Sequence, residues 1–171
     1  MARQRTPGGL TASKALGSGH RRCGKCCRDL ALGRSLFQVG KLQFKKELNY
    51  TVTFHDPCYL GRHNGEFDAP RQVLRAIPGL RLVEMAHNRY NSFCCGGGGG
   101  GMWMDGFVKE HTSERLSEKR VREAVEAGAD VLAVACPYEV SRFEDAVKST
   151  GNEGRLVVRD IAELLDEALQ P

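Results

Sequence analysis

Four cysteines carry the chemistry that this sequence is equipped to perform. The chain of 171 residues contains seven cysteines and 20 glycines. Cys58, the adjacent pair Cys94 and Cys95, and Cys136 are separated by 35 and 40 residues. Cysteine thiolates are soft ligands that bind iron–sulfur clusters, zinc or copper(I). The odd cysteine count and the lack of an apolar signal segment in the first 30 residues favour a reducing, cytoplasmic setting over a disulfide framework.

The arrangement of these cysteines favours a cluster over a single metal ion. Structural zinc sites usually consist of two close cysteine pairs. Cys94 and Cys95 are neighbours whose side chains diverge, so they bind different irons of one cluster more easily than one zinc. Six glycines follow them at positions 96–101. Such a run can adopt positive φ and direct successive N–H groups at an anion, as in the nests found at iron–sulfur sites. We therefore expect Gly96 and Gly97 to support the cofactor, and a structural zinc module remains an alternative.

The elements that must position these residues follow an alternating pattern. Apolar periodicity and turn signals predict strands over 50–55, 80–85, 131–136 and 155–158, and helices over 70–77, 113–127, 140–148 and 161–169. Residues 93–101 are predicted to form a loop. Alternation of this kind predicts a three-layer α/β fold, Rossmann-like, with about four mainly parallel strands and flanking helices.

The predicted topology brings the distant cysteines together. Cys58 follows the first strand, Cys94 and Cys95 lie in the loop after the second, and Cys136 closes the third. Ligands of parallel α/β sheets bind beyond the carboxyl ends of the strands. We therefore expect all four cysteines to lie at this edge of the sheet.

Charge divides the chain into two parts. Residues 1–48 hold 11 Lys and Arg but two acidic residues, whereas the net charge of the whole chain is only +4. We expect residues 1–40 to form a basic, flexible segment and residues 41–171 to form the folded domain. The mildly acidic body argues against nucleic-acid binding, and the short apolar runs argue against a membrane span. The basic segment also contains Cys23, Cys26 and Cys27, which are expected to be free thiols or a weak second metal site.

Three segments carry a resemblance to a known family. Residues 55–62 (HDPCYLGR), 91–97 (NSFCCGG) and 135–138 (ACPY) resemble the cysteine-rich CCG domain of heterodisulfide reductase and related iron–sulfur oxidoreductases. The resemblance extends from about Lys41 to the end of the chain. It implies a 4Fe–4S-type cluster, which is noncubane in heterodisulfide reductase. The implied ligands are Cys58, Cys94, Cys95 and Cys136.

One family position departs from the pattern. The last cysteine of the family motif falls at position 139, where this chain has Glu139. Four thiolates suffice for a cubane cluster, but a noncubane cluster loses a ligand unless the Glu139 carboxylate replaces it. Carboxylate is harder than thiolate, so the substitution bears on cluster geometry and potential.

The resemblance implies an electron-transfer subunit or module of a larger oxidoreductase. No independent catalytic set is evident, and a lone cluster needs a donor and an acceptor. A flavoprotein dehydrogenase or a ferredoxin-like subunit is the expected partner, in the cytoplasm or at the inner face of a membrane through a complex. Cluster-based reduction of a disulfide is an alternative function.

Residues around the motif give weaker expectations. Trp103 is predicted to pack in the core or as a lid over the cluster. The charged pattern over 114–126 predicts a solvated helix face. His55 and Asp56 are predicted to shape a turn, or alternatively to hydrogen-bond near the cluster.

Overall fold

The computed structural model describes residues 43–171 and contains one sheet. Its four strands are β1 (Thr51–Phe54), β2 (Arg81–Val83), β3 (Val131–Val134) and β4 (Val157–Asp160). They are all parallel and lie in the order β2-β1-β3-β4. This confirms the predicted fold class. The basic segment 1–40, with Cys23, Cys26 and Cys27, lies outside the described residues.

Within the described residues, five α-helices connect and follow the strands. They are α1 (Asp68–Ala76), α2 (Asp105–His111), α3 (Leu116–Glu126), α4 (Pro137–Ser149) and α5 (Ile161–Leu169). A π-helical turn spans Tyr59–His63, and 3₁₀ turns span Arg89–Asn91 and Gly101–Trp103. The start of α5 is a capping box, in which Asp160 accepts from the Ala162 N–H at 2.8 Å and Glu163 accepts from the Asp160 N–H at 3.1 Å.

The helices cover both faces of the sheet and form two cores. On one face, Val52 and Phe54 of β1 pack with α1 and α5. On the other face, Leu132 and Val134 of β3 pack with α3 and α4. All four residues of β3 are buried, as expected for a central parallel strand covered on both sides.

The strand order reverses between β1 and β3. From β1 the chain moves outward to β2, and from β3 it moves outward in the opposite direction to β4. Ligands of open α/β sheets bind at such a reversal, beyond the carboxyl ends of the strands. Cys58 follows β1 and Cys136 follows β3, so the topology places both at this point.

Several element boundaries differ from the sequence-based prediction. The predicted helix over 113–127 begins at Leu116, whose side chain is 42% exposed and does not face the core as expected. The helix predicted from 140 begins at Pro137, because proline is preorganised for the first helical position. Helix α2 has no counterpart among the predicted elements. Within residues 43–171, every helix is too short or too polar to cross a membrane.

Candidate metal centre

The described cysteines differ in their access to solvent. Cys95 is 6% exposed and belongs to the core that packs against α3 and α4. Cys94 and Cys136 are half-buried and Cys58 is exposed, and all four are free thiols. Cys58 is the N-cap residue of the π-helical turn after β1, and Cys136 is the N-cap residue of α4. The four sulfurs therefore range from the protein interior to its surface at the sheet edge.

The glycine run donates hydrogen bonds to two of the sulfurs. The Gly96 N–H donates to Cys94 Sγ at 3.3 Å, and the Gly97 N–H donates to Cys95 Sγ at 3.4 Å. Gly96 has φ of +73°, a conformation that glycine adopts without steric cost. N–H groups in this position stabilise negative charge on sulfur. The expected role of Gly96 and Gly97 is thus consistent with where their N–H groups point.

Cys94 and Cys95 share a single negative charge. A hydrogen bond from the Cys95 thiol lowers the pKa of Cys94 to about 5, and the Gly96 N–H and the nearby His55 and Arg62 add to the effect. The pKa of Cys95 is raised because its proton is held by Cys94 and because it is buried. One thiolate is therefore available at neutral pH for binding a soft metal.

Charge also connects Cys58 to the pair. Burial raises the pKa of Cys58, and the charges of Cys94 and Glu139 raise it further. The Glu139 charge acts on Cys95 as well. Glu139 follows Cys136 by one helical turn, and its N–H donates to the Cys136 carbonyl oxygen at 2.9 Å. The structure thus gathers Cys58, Cys94 and Cys95 around Glu139, with Cys136 at the start of the same helix.

A second group of possible ligands overlaps the cysteines. Ligand atoms of His55, Cys95 and Glu139 all lie within 4.8 Å of one another, and all three residues are buried. His55 Nε2 lies 3.4 Å from Glu139 Oε1 without hydrogen-bond geometry, and Arg120 Nε donates to His55 Nδ1 at 3.3 Å. His55 therefore lies beside the site, in line with the alternative prediction for this residue.

Buried arginines hold the loops that carry the cysteines. Arg71 of α1 binds Asp56, two residues before Cys58, and Glu84, at the end of β2. Arg62, in the turn after Cys58, donates to the Ser92 carbonyl oxygen at 2.5 Å, two residues before Cys94. The sequence gives no sign of these roles, since an isolated arginine carries no pattern that identifies its partners.

The prediction for Trp103 is wrong. Its side chain is 90% exposed, and the neighbouring Met104 is also exposed. Trp103 lies in a 3₁₀ turn that ends the glycine run, so the backbone turns it outward. The side chain that does approach the glycine run is Met102, whose Cγ lies 3.6 Å from the position of a Cβ built on Gly97.

The donor set fits an iron–sulfur cluster. It offers cysteine thiolates, one of them with a lowered pKa, and backbone N–H groups aimed at two of the sulfurs. These are the features by which proteins hold such clusters and adjust their potentials. A single tetrahedral zinc fits less well, because Cys94 and Cys95 are adjacent in the chain.

Comparisons with known proteins agree with this chemistry. The family model of the cysteine-rich domain CCG matches residues 52–138. Over 78% of this chain, 44% of residues are identical to those of a subunit of the dihydromethanophenazine:CoB–CoM heterodisulfide reductase from Methanosarcina barkeri, covering 31% of that protein. Identity is 40% to the probable iron-sulfur-binding oxidoreductase FadF from Bacillus subtilis, over 78% of this chain and 18% of the relative.

A third relative extends the same pattern. Identity is 35% to the EtfAB:quinone oxidoreductase of Syntrophomonas wolfei, over 79% of this chain and 19% of that protein. The chain thus spans less than a third of the length of each of these curated relatives.

Proposed function

The chain belongs to the family of the cysteine-rich CCG domain, and we propose that it is an iron–sulfur electron-transfer module of a larger oxidoreductase. The observation that carries the proposal is the pair of N–H groups, from Gly96 and Gly97, that donate to the sulfurs of Cys94 and Cys95. The relatives support it, since their names describe iron–sulfur binding or oxidoreductases. The proposed ligands are Cys58, Cys94, Cys95 and Cys136, and the proposed cofactor is a 4Fe–4S-type cluster.

The protein groups would bind and tune this cofactor. A bound cluster supplies reversible one-electron chemistry. Cys94 offers a thiolate at neutral pH, and the Gly96 and Gly97 N–H groups stabilise charge on the sulfurs. Cys95 lies in the apolar core with Phe143, which excludes water from the inner side of the site. Cys58 is exposed and gives the outer side contact with a partner.

A redox partner is part of the proposal. The described residues form a single metal centre between a buried and an exposed side, and such a centre needs a donor and an acceptor. We propose a flavoprotein dehydrogenase or a ferredoxin-like subunit for these roles, in the cytoplasm. Attachment to the inner face of a membrane would come through the complex, which the quinone oxidoreductase relative supports.

Reduction of a disulfide substrate is a second candidate function. It is favoured by the exposure of Cys58, which leaves one side of the site open to a substrate sulfur. The relative from Methanosarcina barkeri carries heterodisulfide reductase in its name. Thiol release from a mixed disulfide by the electrochemically reduced, cluster-loaded chain tests it, and no release contradicts it.

The main proposal is tested by anaerobic reconstitution with iron and sulfide. We expect a brown protein with visible absorption, iron and sulfide in similar amounts, and an EPR signal in one oxidation state. Cys94→Ser and Cys95→Ser should lose most of the iron, whereas Cys27→Ser, outside the matched residues, is the control and should retain it. Full iron content in both site variants would contradict the proposal, as would a colourless protein with one bound zinc.

A further inference from the structure

We infer that Glu139 is an oxygen ligand to the cluster, oriented by a buried relay of His55 and Arg120; the inference rests on the proposed function. Glu139 lies in the first turn of α4 and is 1% exposed. Its Oε2 atom is buried and makes no hydrogen bond within residues 43–171. The Cys95 sulfur lies within 4.8 Å of the nearest ligand atoms of Glu139 and His55. An unpaired carboxylate oxygen therefore sits among the proposed cluster ligands.

Burial makes an unpaired carboxylate costly in free energy. A buried charged group is normally paired, hydrogen-bonded or bound to a metal. The two nearest candidate partners do not satisfy Oε2. His55 approaches the other oxygen, Oε1, at 3.4 Å. Arg120 directs its Nη1 group at Glu123 and at the His87 carbonyl oxygen. An iron atom held by the neighbouring cysteines would supply the missing positive partner.

The relay decides which atom of the group is free to bind metal. A guanidinium group has only donors, so His55 Nδ1 must accept from Arg120 Nε across their 3.3 Å contact. In neutral His55 the proton then lies on Nε2, which faces Glu139 Oε1. Neither nitrogen of His55 offers a free lone pair. The carboxylate of Glu139 is therefore the available ligand beside Cys95, and His55 positions it.

The relay is fixed by its surroundings. Arg120 is fully buried on α3, and Glu123 on the same helix pairs with it. The ring of His55 packs edge-on against Phe143 of α4, with centroids 4.8 Å apart. These contacts hold His55 in one rotamer, so its N–H stays directed at Glu139. Metal ligands commonly depend on such outer hydrogen bonds for their orientation.

Oxygen ligation has a spectroscopic consequence. Carboxylate is a harder ligand than thiolate, so the iron that binds Glu139 is electronically distinct from irons with sulfur ligands alone. Mössbauer spectroscopy of the ⁵⁷Fe-reconstituted chain should resolve one iron subsite with a larger isomer shift than the others. The measurement on the unaltered chain is decisive by itself. A spectrum with only sulfur-type subsites overturns the inference and leaves the proposed function intact.

Variants assign the subsite to Glu139. Glu139→Gln should lose or alter the distinct subsite, and Glu139→Cys should convert it to a sulfur-type subsite. Glu118→Gln, which removes another carboxylate of the domain, is the matched control and should leave the spectrum unchanged. His55→Gln should alter the same subsite without loss of the other irons, which a purely structural role would not do. A distinct subsite unchanged in Glu139→Cys overturns the inference, whereas absence of bound iron in every chain overturns the proposed function.

Discussion

Arg71 grips Asp56 with both ends of its guanidinium group, through hydrogen bonds of 2.6 and 2.9 Å. The same group donates to Glu84 at 2.7 and 2.9 Å, so one side chain of α1 joins the chain segments that follow β1 and β2. Burial opposes its charge, but the hydrogen bonds with the two carboxylates outweigh it and raise the pKa of Arg71. The segment before Cys58 is therefore fixed to α1.

Removing this cation should destabilise the domain strongly. Arg71→Met leaves the buried Asp56 carboxylate without its partner, and breaking a buried pair in this way costs about 3–5 kcal/mol. Denaturant unfolding of the metal-free chain measures the change. Arg75→Met, an exposed position on the same helix, is the control and should change the free energy of unfolding by less than about 0.5 kcal/mol. Similar stability in the two variants would show that the Arg71 network is not structurally important.

The sequence is sufficient to predict the sheet and the edge that carries the site. The strands are recognisable because they are rich in β-branched residues and turn signals bound them, and α5 spans Ile161–Leu169 as predicted. The rule that ligands gather at the carboxyl ends of parallel strands then places Cys58 and Cys136 together. The cysteine pair follows because β2 neighbours β1.

The charged residues of the site are less predictable. The charge pattern over 114–126 predicts a solvated face, yet Arg120 is fully buried and Glu123 is nearly so. Local spacing cannot show this, because the partners of Arg120 are His55, 65 residues away, and the His87 carbonyl oxygen. Trp103 shows the converse. Its size suggests packing, but a turn made by glycine directs it to solvent.

The glycine run should tolerate substitution at one position and not at another. A Cβ at Gly101 would lie 2.5 Å from the Gly96 carbonyl oxygen, whereas a Cβ at Gly98 has nothing within 4 Å. Gly101→Ala must therefore shift the backbone next to the N–H group that donates to Cys94. We expect a loss of about 1–3 kcal/mol in unfolding free energy, as for other overpacked sites, and faster loss of iron to a chelator.

Gly98→Ala is the matched control for this variant. Its backbone φ is not in the left-handed region, so alanine should be neutral or stabilise the chain by up to about 1 kcal/mol. Iron release to the chelator should match that of the unaltered chain. Equal release rates in the two variants would show that the Gly96 carbonyl position does not matter for the metal centre.

Glu118 should make stability depend on acidity. Burial raises its pKa, but hydrogen bonds from the Arg115 N–H and the Ser149 hydroxyl outweigh this and lower the pKa below the ordinary value of 4.5. A carboxyl group with a lowered pKa in the folded state stabilises that state above its unfolded pKa, and this stabilisation is lost as pH falls through the folded pKa. Glu118→Gln should be less stable than the unaltered chain above about pH 5, with the difference shrinking towards about pH 3. A difference that is constant with pH would contradict this assignment.

Phe143 joins the apolar core to the metal centre, and its truncation should affect both. The side chain is fully buried, and it packs on the His55 ring and within the core that includes Cys95. Phe143→Ala should cost about 3–5 kcal/mol of unfolding free energy because it leaves a cavity. Phe143→Leu fills most of that space and should cost less. Since both remove the ring that holds His55, both should release iron to a chelator faster than Glu144→Ala, an exposed control on the same helix. If Phe143→Leu releases iron at the control rate, the ring supports only the fold and not the position of His55.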